Sequence, residues 1–181
     1  MQRPMPVVPI LALVVLLGTL TLAGGVAYVR QDRLVNVGEE IRYDDFGFTV
    51  EDVTRTQVAG PKDHPVRSYG TFWVVDLLVE NHARRVSYRM GSHTPRLVDE
   101  HGHEYPVSRR GQAALDAQRN PELAEDGMKP SSLGPGDRHV TTLVFDVPDD
   151  AGDVRLKLVW GGKVGEVLDY VFLGERRFAL R

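Results

Sequence analysis

The 181-residue sequence contains no cysteine. This absence excludes a disulfide-stabilised scaffold, a metal site built on thiolates, a cysteine nucleophile and a lipid anchor attached to cysteine. It leaves the cellular compartment open, because a chain without cysteine tolerates both oxidising and reducing surroundings.

The sequence also lacks an excess of positive charge. It has 22 Lys and Arg residues against 25 Asp and Glu residues, and only Arg3 and Arg30 lie within residues 1–30. The other 151 residues therefore carry 20 basic and 25 acidic side chains, a net charge of −5. Because binding to nucleic acid requires a cationic surface, we expect no nucleic acid among the partners. A segment of this length suits one packed domain.

Recognisable catalytic motifs are missing as well. The sequence has no G-x-S-x-G elbow, no P-loop and no G-x-G-x-x-G motif. Ser92 and His93 are neighbours, but adjacent side chains of a strand point to opposite faces and cannot act together. We therefore expect a protein that is not an enzyme and that uses no cofactor.

The longest apolar run covers residues 7–29, which carry no formal charge. As a helix these 23 residues would extend about 34 Å, enough for a hydrocarbon layer of roughly 30 Å. The run predicts a transmembrane helix after a short N-terminal tail, residues 1–6. The alternative is a cleavable signal peptide that ends near Gly25-Val26-Ala27, although the apolar region of signal peptides is usually only about 7–15 residues long.

Two opposing observations bear on the orientation of this segment. Only Arg3 precedes the apolar run, whereas Arg30, Arg33 and Arg42 come after it, so the positive-inside rule alone favours a cytoplasmic domain. A first apolar segment close to the N-terminus usually directs the downstream chain out of the cytoplasm. We therefore expect a single-pass protein of the cell membrane with an extracytoplasmic C-terminal domain, or a secreted protein if the segment is cleaved.

After a linker at residues 30–37, the apolar residues recur with a period of two. In residues 73–80, every odd position is apolar, as expected for a strand with one buried face. Seven to nine short strands, separated by Gly, Pro and Asp, predict an all-β domain over residues 38–181. The favoured architecture is an antiparallel immunoglobulin-like β-sandwich, preceded by the single transmembrane helix. A closed barrel is the alternative.

Three local features depart from plain strands. Gly47 indicates a β-bulge in the strand that begins at Phe46. Residues 59–70 contain Gly60, Pro61 and Pro65 and are predicted to form a mobile loop. Residues 108–136 form an insertion loop between strands. Within it, the sequence QAALDA at residues 112–117 favours a short helix that Asn120-Pro121 would end.

Three sequence signatures occur in a fixed order along the chain: FWVVDLLVEN at residues 72–81, LVDEHGHEY at 97–105, and LGPGD at 133–137 with LVFDVP at 143–148 after it. Together they resemble the bacterial extracytoplasmic domains known as domain of unknown function 4352. The resemblance covers roughly residues 34–173. It implies a telokin-like, immunoglobulin-like sandwich, similar to the fold of the MPT63-like secreted antigens. It implies no catalytic residues.

The densest group of metal-ligating residues is Asp99, His101 and His103, which we call the histidine turn. Residues two apart on a strand share a face, so both imidazoles could reach one ion. Two histidines with a carboxylate suit Zn²⁺, Cu²⁺ or Ni²⁺. The alternative is a solvated hairpin turn without a ligand.

These observations favour a membrane-anchored, non-catalytic binding module of the bacterial cell envelope. Its expected partners are the membrane and an envelope protein or surface ligand, contacted through an exposed sheet edge or through residues 59–70 and 108–136. One alternative is a metal-binding or sensing domain that uses His101 and His103. Another is a structural spacer.

Overall fold

The computed structural model describes residues 33–89, 93–119, 132–160 and 176–180. The predicted tail and transmembrane segment, residues 1–29, lie outside the described residues. Among the residues that the structure describes, no helix has the length and apolar character needed to cross a membrane.

The described residues form eleven strands and one helix. Their bounds are β1 Arg33–Asn36, β2 Glu40–Tyr43, β3 Phe46–Ala59, β4 Val66–Asn81, β5 Tyr88–Arg89, β6 His93–Val98, β7 Glu104–Pro106, α1 Arg109–Arg119, β8 Ser132–Leu133, β9 Arg138–Val147, β10 Arg155–Trp160 and β11 Arg176–Ala179.

Two sheets contain most of these strands. One has the order β1-β11-β10-β6-β7 and the other β2-β3-β4-β9, while β5 and β8 form a separate pair. The predicted all-β sandwich is thereby confirmed. The expectation of purely antiparallel pairing is wrong for one pair, because β1 runs parallel to β11. The finer assignment to the immunoglobulin-like class stays a prediction.

The core lies between the two large sheets. Val75, Leu77 and Val79 of β4 are fully buried, as the period of two predicts, and they belong to one cluster with Leu97 of β6 and Leu156 of β10. Side chains that alternate with these core residues lie on the outer face of the β2-β3-β4-β9 sheet.

The predicted mobile loop at residues 59–70 is largely wrong. Strand β3 continues to Ala59 and β4 begins at Val66, so the connecting turn covers only residues 60–65. Ala59 pairs directly with Val66 across this turn. The glycine and the two prolines mark the turn itself, because Gly60 has a φ of +99° and both prolines lie between the two strands.

The insertion contains a helix, α1, that is longer than the predicted one. The Ser108 hydroxyl caps it by accepting a hydrogen bond from the Gly111 N–H at 3.2 Å. The missing side chain of Gly111 lets the helix approach the sheet, because a Cβ there would lie 2.7 Å from Val144 and 3.0 Å from Phe72. Phe72, Val144 and Ala114 form a second apolar cluster on the outer face.

Helix α1 also covers the free edge of β9. The Gln112 side chain accepts a hydrogen bond from Val144 N–H and donates one to Thr142 C=O, both at 3.1 Å. The N–H of Ser108 donates to Val144 C=O at 2.7 Å. Because an uncovered edge strand invites pairing with other chains, one role of this part of the insertion is to close the edge of β9.

Candidate functional site

Strand β4 bulges opposite β3 and presents an aromatic ring to solvent. Thr56 pairs with Phe72 and Val58 pairs with Arg67, so several residues of β4 lie opposite Gln57 alone. Such a bulge bends the strand and redirects its side chains. Tyr69 lies in this bulge with 90% of its surface exposed.

The bulge is held against the end of β9. The N–H of Tyr69 donates to the Asp146 carboxylate at 3.0 Å, and the Thr71 hydroxyl donates to Asp149 at 2.7 Å. Between them, Gly70 passes so close to the backbone of β9 that a Cβ would overlap the Val147 carbonyl oxygen. Although Tyr69 is exposed, its backbone is therefore fixed.

Arg110 of α1 covers one side of the exposed ring. Its guanidinium carbon lies 4.2 Å from the ring centroid of Tyr69, within the range of a cation–π interaction. The same guanidinium donates to Arg67 C=O at 2.7 Å and to the Asp146 carboxylate at 3.3 Å. We call Tyr69, Arg110 and Asp146 the Tyr69 surface. Its side chains are positioned before any partner arrives.

The Tyr69 surface joins the two segments that the sequence predicts as contact regions. Tyr69 comes from residues 59–70, and Arg110 comes from residues 108–136. The turn between β3 and β4 also contacts α1, because a Cβ on Gly60 would lie 3.1 Å from the Ala114 methyl carbon. The sequence gives no direct sign of Tyr69, since its position depends on a contact with Asp146, 77 residues away.

The histidine turn connects β6 to β7. The N–H of Gly102 donates to Asp99 C=O at 3.2 Å, and Asp99 N–H donates to His103 C=O at 3.1 Å. Gly102 adopts a φ of +86°, which glycine reaches without the strain that a side chain would add. Asp99, His101 and His103 each offer one metal-ligating atom, and these three atoms lie within 4.8 Å of one another.

Asp99 is the centre of this turn, with only 4% of its surface exposed. One carboxylate oxygen accepts hydrogen bonds from the His101 and His103 N–H groups at 2.9 and 2.8 Å. The other accepts from His103 Nδ1 and from the Tyr105 hydroxyl, each at 2.8 Å. Burial alone would raise the pKa of Asp99, but these hydrogen bonds outweigh it and hold that pKa well below its usual range. The pKa of Tyr105 is raised, mainly by burial and in addition by the hydrogen bond to Asp99 and by its negative charge.

The geometry gives Asp99 and the two histidines different parts in metal chemistry. Four hydrogen-bond donors already occupy the Asp99 carboxylate. His103 uses only its Nδ1 in this network, and its side chain is exposed, so Nε2 can face a metal ion. The His101 and His103 rings lie 6.0 Å apart. The neighbouring Glu104 is directed elsewhere, because its carboxylate binds Arg96 at 2.7 Å. Metal binding at this turn stays a prediction.

Comparison with known proteins identifies a family and a fold. The sequence model of the domain of unknown function DUF4352 matches residues 35–165. Among proteins with curated descriptions, none matches the sequence.

Solved structures with a similar fold include the following three, each with a TM-score above 0.5. A conserved hypothetical protein from Bacillus anthracis is 17% identical, with 68% of this chain and 87% of that chain covered and a TM-score of 0.53. An uncharacterized β-sandwich protein from Clostridium difficile 630 is 14% identical, with coverage of 84% and 96% and a TM-score of 0.52. The secreted protein MPT63 from Mycobacterium tuberculosis is 14% identical, with coverage of 82% and 98% and a TM-score of 0.52.

Proposed function

The chain belongs to the family of the domain of unknown function DUF4352, and we propose that its β-sandwich is a non-catalytic binding module of the bacterial cell envelope. The observation that carries this proposal is the Tyr69 surface. Tyr69 is 90% exposed, its backbone is held in a strand bulge, and its ring lies against an arginine from a separate element.

The chemistry of this surface suits a protein partner. Tyrosine and arginine are among the residues that contribute most to binding energy at protein interfaces. A partner can bury the second face of the Tyr69 ring while Arg110 stays in place on the first. Because the ring and the guanidinium are already positioned, little side-chain ordering is required on binding. An envelope protein with an apolar, acidic-rimmed groove is the partner that this surface fits.

The proposed location is outside the cytoplasm, with the apolar segment at residues 7–29 as a single-pass membrane anchor. The length of that segment supports the anchor. The description of MPT63 as a secreted protein, on a similar fold, supports the location. A C-terminal reporter that is active only outside the cytoplasm tests it. Activity only inside the cytoplasm would contradict it, and release of the reporter into the medium would show that the segment is cleaved.

Site-specific photo-cross-linking in intact cells tests the binding function. A photoreactive phenylalanine analogue replaces Tyr69 in the full chain, and the matched control carries the analogue at Val86, which is 59% exposed and belongs to another part of the surface. We expect the same envelope protein to be captured repeatedly through position 69 and not through position 86. Identical capture from both positions, or none from either, would favour the structural spacer.

A metal-binding function of the histidine turn is the second candidate, and one distance favours it. His103 Nδ1 lies 2.8 Å from the Asp99 carboxylate, the arrangement by which a carboxylate orients a histidine and leaves Nε2 for a metal. We propose that Nε2 of His103 and a ring nitrogen of His101 bind Zn²⁺ or Cu²⁺, with Asp99 as the positioning residue. Calorimetric titration of the full chain should give a saturable binding event that His101→Ala and His103→Ala each remove. Absence of binding to the unmodified chain would end this candidate.

A further inference from the structure

A second group of metal-ligating side chains lies on the outer face of the β2-β3-β4-β9 sheet. Glu40 begins β2, Glu80 lies near the end of β4, and His82 comes directly after β4. Because Ile41 and Val79 point into the core, their neighbours Glu40 and Glu80 point to the opposite face. One ligand atom from each of the three side chains lies within 4.8 Å of the others.

Gly47 provides the space in which two of these side chains meet. A Cβ at Gly47 would overlap Oε1 of Glu40 and lie 2.9 Å from Nε2 of His82. Gly47 does not have a positive φ, so its backbone conformation does not require glycine. Nor does it form the predicted bulge, since it pairs in regular register with Arg42 and with Glu80. The ends of the Glu40 and His82 side chains thus share the space directly above the Gly47 backbone.

We propose that Glu40, Glu80 and His82 form a site for a divalent transition metal such as Zn²⁺. Donors bound to one zinc ion at about 2.0–2.1 Å are separated from each other by roughly 3.0–3.4 Å. His82 Nε2 and Glu40 Oε1 are 3.0 Å apart, so both atoms can bind one ion with little movement. On binding, Nε2 of a neutral His82 coordinates the ion, and the ring proton resides on Nδ1.

The surroundings make this site accessible and set its affinity. The side chains of His82 and Glu40 are 36% and 39% exposed, and the His82 N–H donates to Asp45 C=O at 2.8 Å, which positions the backbone. Arg42 lies opposite Gly47, and Arg138 lies opposite Glu80. A positive charge at each of these positions opposes the binding of a cation. We therefore expect micromolar rather than nanomolar affinity, with water completing the coordination.

Calorimetric titration of the full chain with zinc chloride tests the proposal. The imidazoles of the histidine turn are first removed by His101→Ala and His103→Ala, so that only binding to Glu40, Glu80 and His82 is measured. We expect one saturable binding event that Glu40→Gln and His82→Gln each weaken about tenfold or more. The matched control is His139→Gln, because His139 is exposed on β9 and belongs to neither group. Zinc binding that Glu40→Gln and His82→Gln leave unchanged would overturn the proposal.

A measurement on the unmodified chain makes the result independent of whether the variants fold. Co²⁺ is added in steps, and paramagnetic broadening of backbone amide signals is monitored by nuclear magnetic resonance. Early loss of the signals of Glu40, Gly47 and His82 supports the proposal. Broadening confined to residues 99–105, or no broadening at all, overturns it. The proposed protein-binding function does not depend on this result, because it is carried by the Tyr69 surface.

Discussion

The guanidinium carbon of Arg110 lies 4.2 Å from the ring centroid of Tyr69, and this contact joins the insertion helix to the β3–β4 hairpin. The two residues are far apart in sequence, but each is tied to Asp146 of β9. Tyr69 reaches it through its N–H at 3.0 Å and Arg110 through its guanidinium at 3.3 Å. One carboxylate thus aligns both partners of the contact, and β9 serves as the rigid support on which the surface is built.

Removing the Tyr69 ring should affect binding far more than stability. In Tyr69→Ala, the free energy of unfolding should fall by no more than about 1 kcal/mol, because the ring is exposed and loses only the contact with Arg110. Affinity for the partner captured through position 69 should fall about tenfold or more. Urea denaturation and direct binding measurements give the two quantities. Tyr69→Phe should retain both, and a Tyr69→Ala variant with unchanged affinity would contradict the proposed surface.

Adding one methyl group at Gly70 should destabilise the domain. The new Cβ of Gly70→Ala would overlap the Val147 carbonyl oxygen and lie 2.8 Å from Cα of Pro148. Since both atoms belong to the backbone, they cannot rotate away, and we expect a loss of roughly 1–3 kcal/mol in unfolding free energy.

Gly134→Ala is the matched control for this substitution. At Gly134 the nearest atom to a new Cβ is a side-chain oxygen of Asp137 at 3.0 Å, which can rotate away with the loss of only its hydrogen bond from the Gly134 N–H. Equal stability of the two variants in urea denaturation would show that the β4 bulge is not fixed against β9.

Replacing Asn81 should lower the free energy of unfolding more than replacing an exposed asparagine does. Asn81 is 1% exposed, and its amide donates to the carbonyl groups of Val86 and Leu133 at 2.8 and 2.9 Å. Its oxygen accepts from Ala83 N–H at 2.9 Å. Asn81→Ala leaves these three backbone groups without their partner, so the free energy of unfolding should fall by roughly 2–4 kcal/mol. Asn36→Ala, on an exposed strand end, should change it by no more than about 0.5 kcal/mol.

Asn81 also shows which features the sequence can predict. An asparagine at the end of a strand is expected to bond its own neighbouring backbone, and the hydrogen bond to Ala83 does this. The turn at Asp99 and Gly102 arises from residue chemistry in the same way. Such local features depend on a few adjacent residues, and so they can be predicted from one short segment.

The two proposed binding sites depend instead on contacts between distant segments. Tyr69 becomes a fixed, exposed ring only because Asp146 and Arg110 approach it from other elements. Glu40 and His82 come together through the register of β2, β3 and β4 across Gly47. No local pattern encodes these approaches, which result from strand pairing. For the histidine turn, the sequence predicts which residues could bind a metal. Only the structure shows that four hydrogen-bond donors already occupy the carboxylate of Asp99.

The stability of the domain in acid should depend on Asp99. Its pKa is lowered in the folded state, because the hydrogen bonds from His103, Tyr105 and His101 outweigh the opposing effect of burial. A carboxyl group with a lowered folded-state pKa stabilises the protein fully at pH values above its unfolded-state pKa of about 3.9. This contribution is lost progressively as the pH falls below that value toward the folded-state pKa. The melting temperature should therefore drop steeply below about pH 4.

Asp99→Asn isolates the contribution of this carboxylate. The variant cannot carry the negative charge, so it should melt at a lower temperature than the unmodified chain at pH 7. The difference should shrink as the pH is lowered from about 4 toward 2, because the unmodified protein then loses the same stabilisation. Calorimetric melting curves at pH 7 and from about pH 4 to about pH 2 measure this difference in melting temperature. The control is Asp63→Asn, at an exposed position in the β3–β4 turn. A difference between Asp99→Asn and the unmodified chain that stays constant over the whole pH range would show that the carboxylate charge of Asp99 does not stabilise the turn.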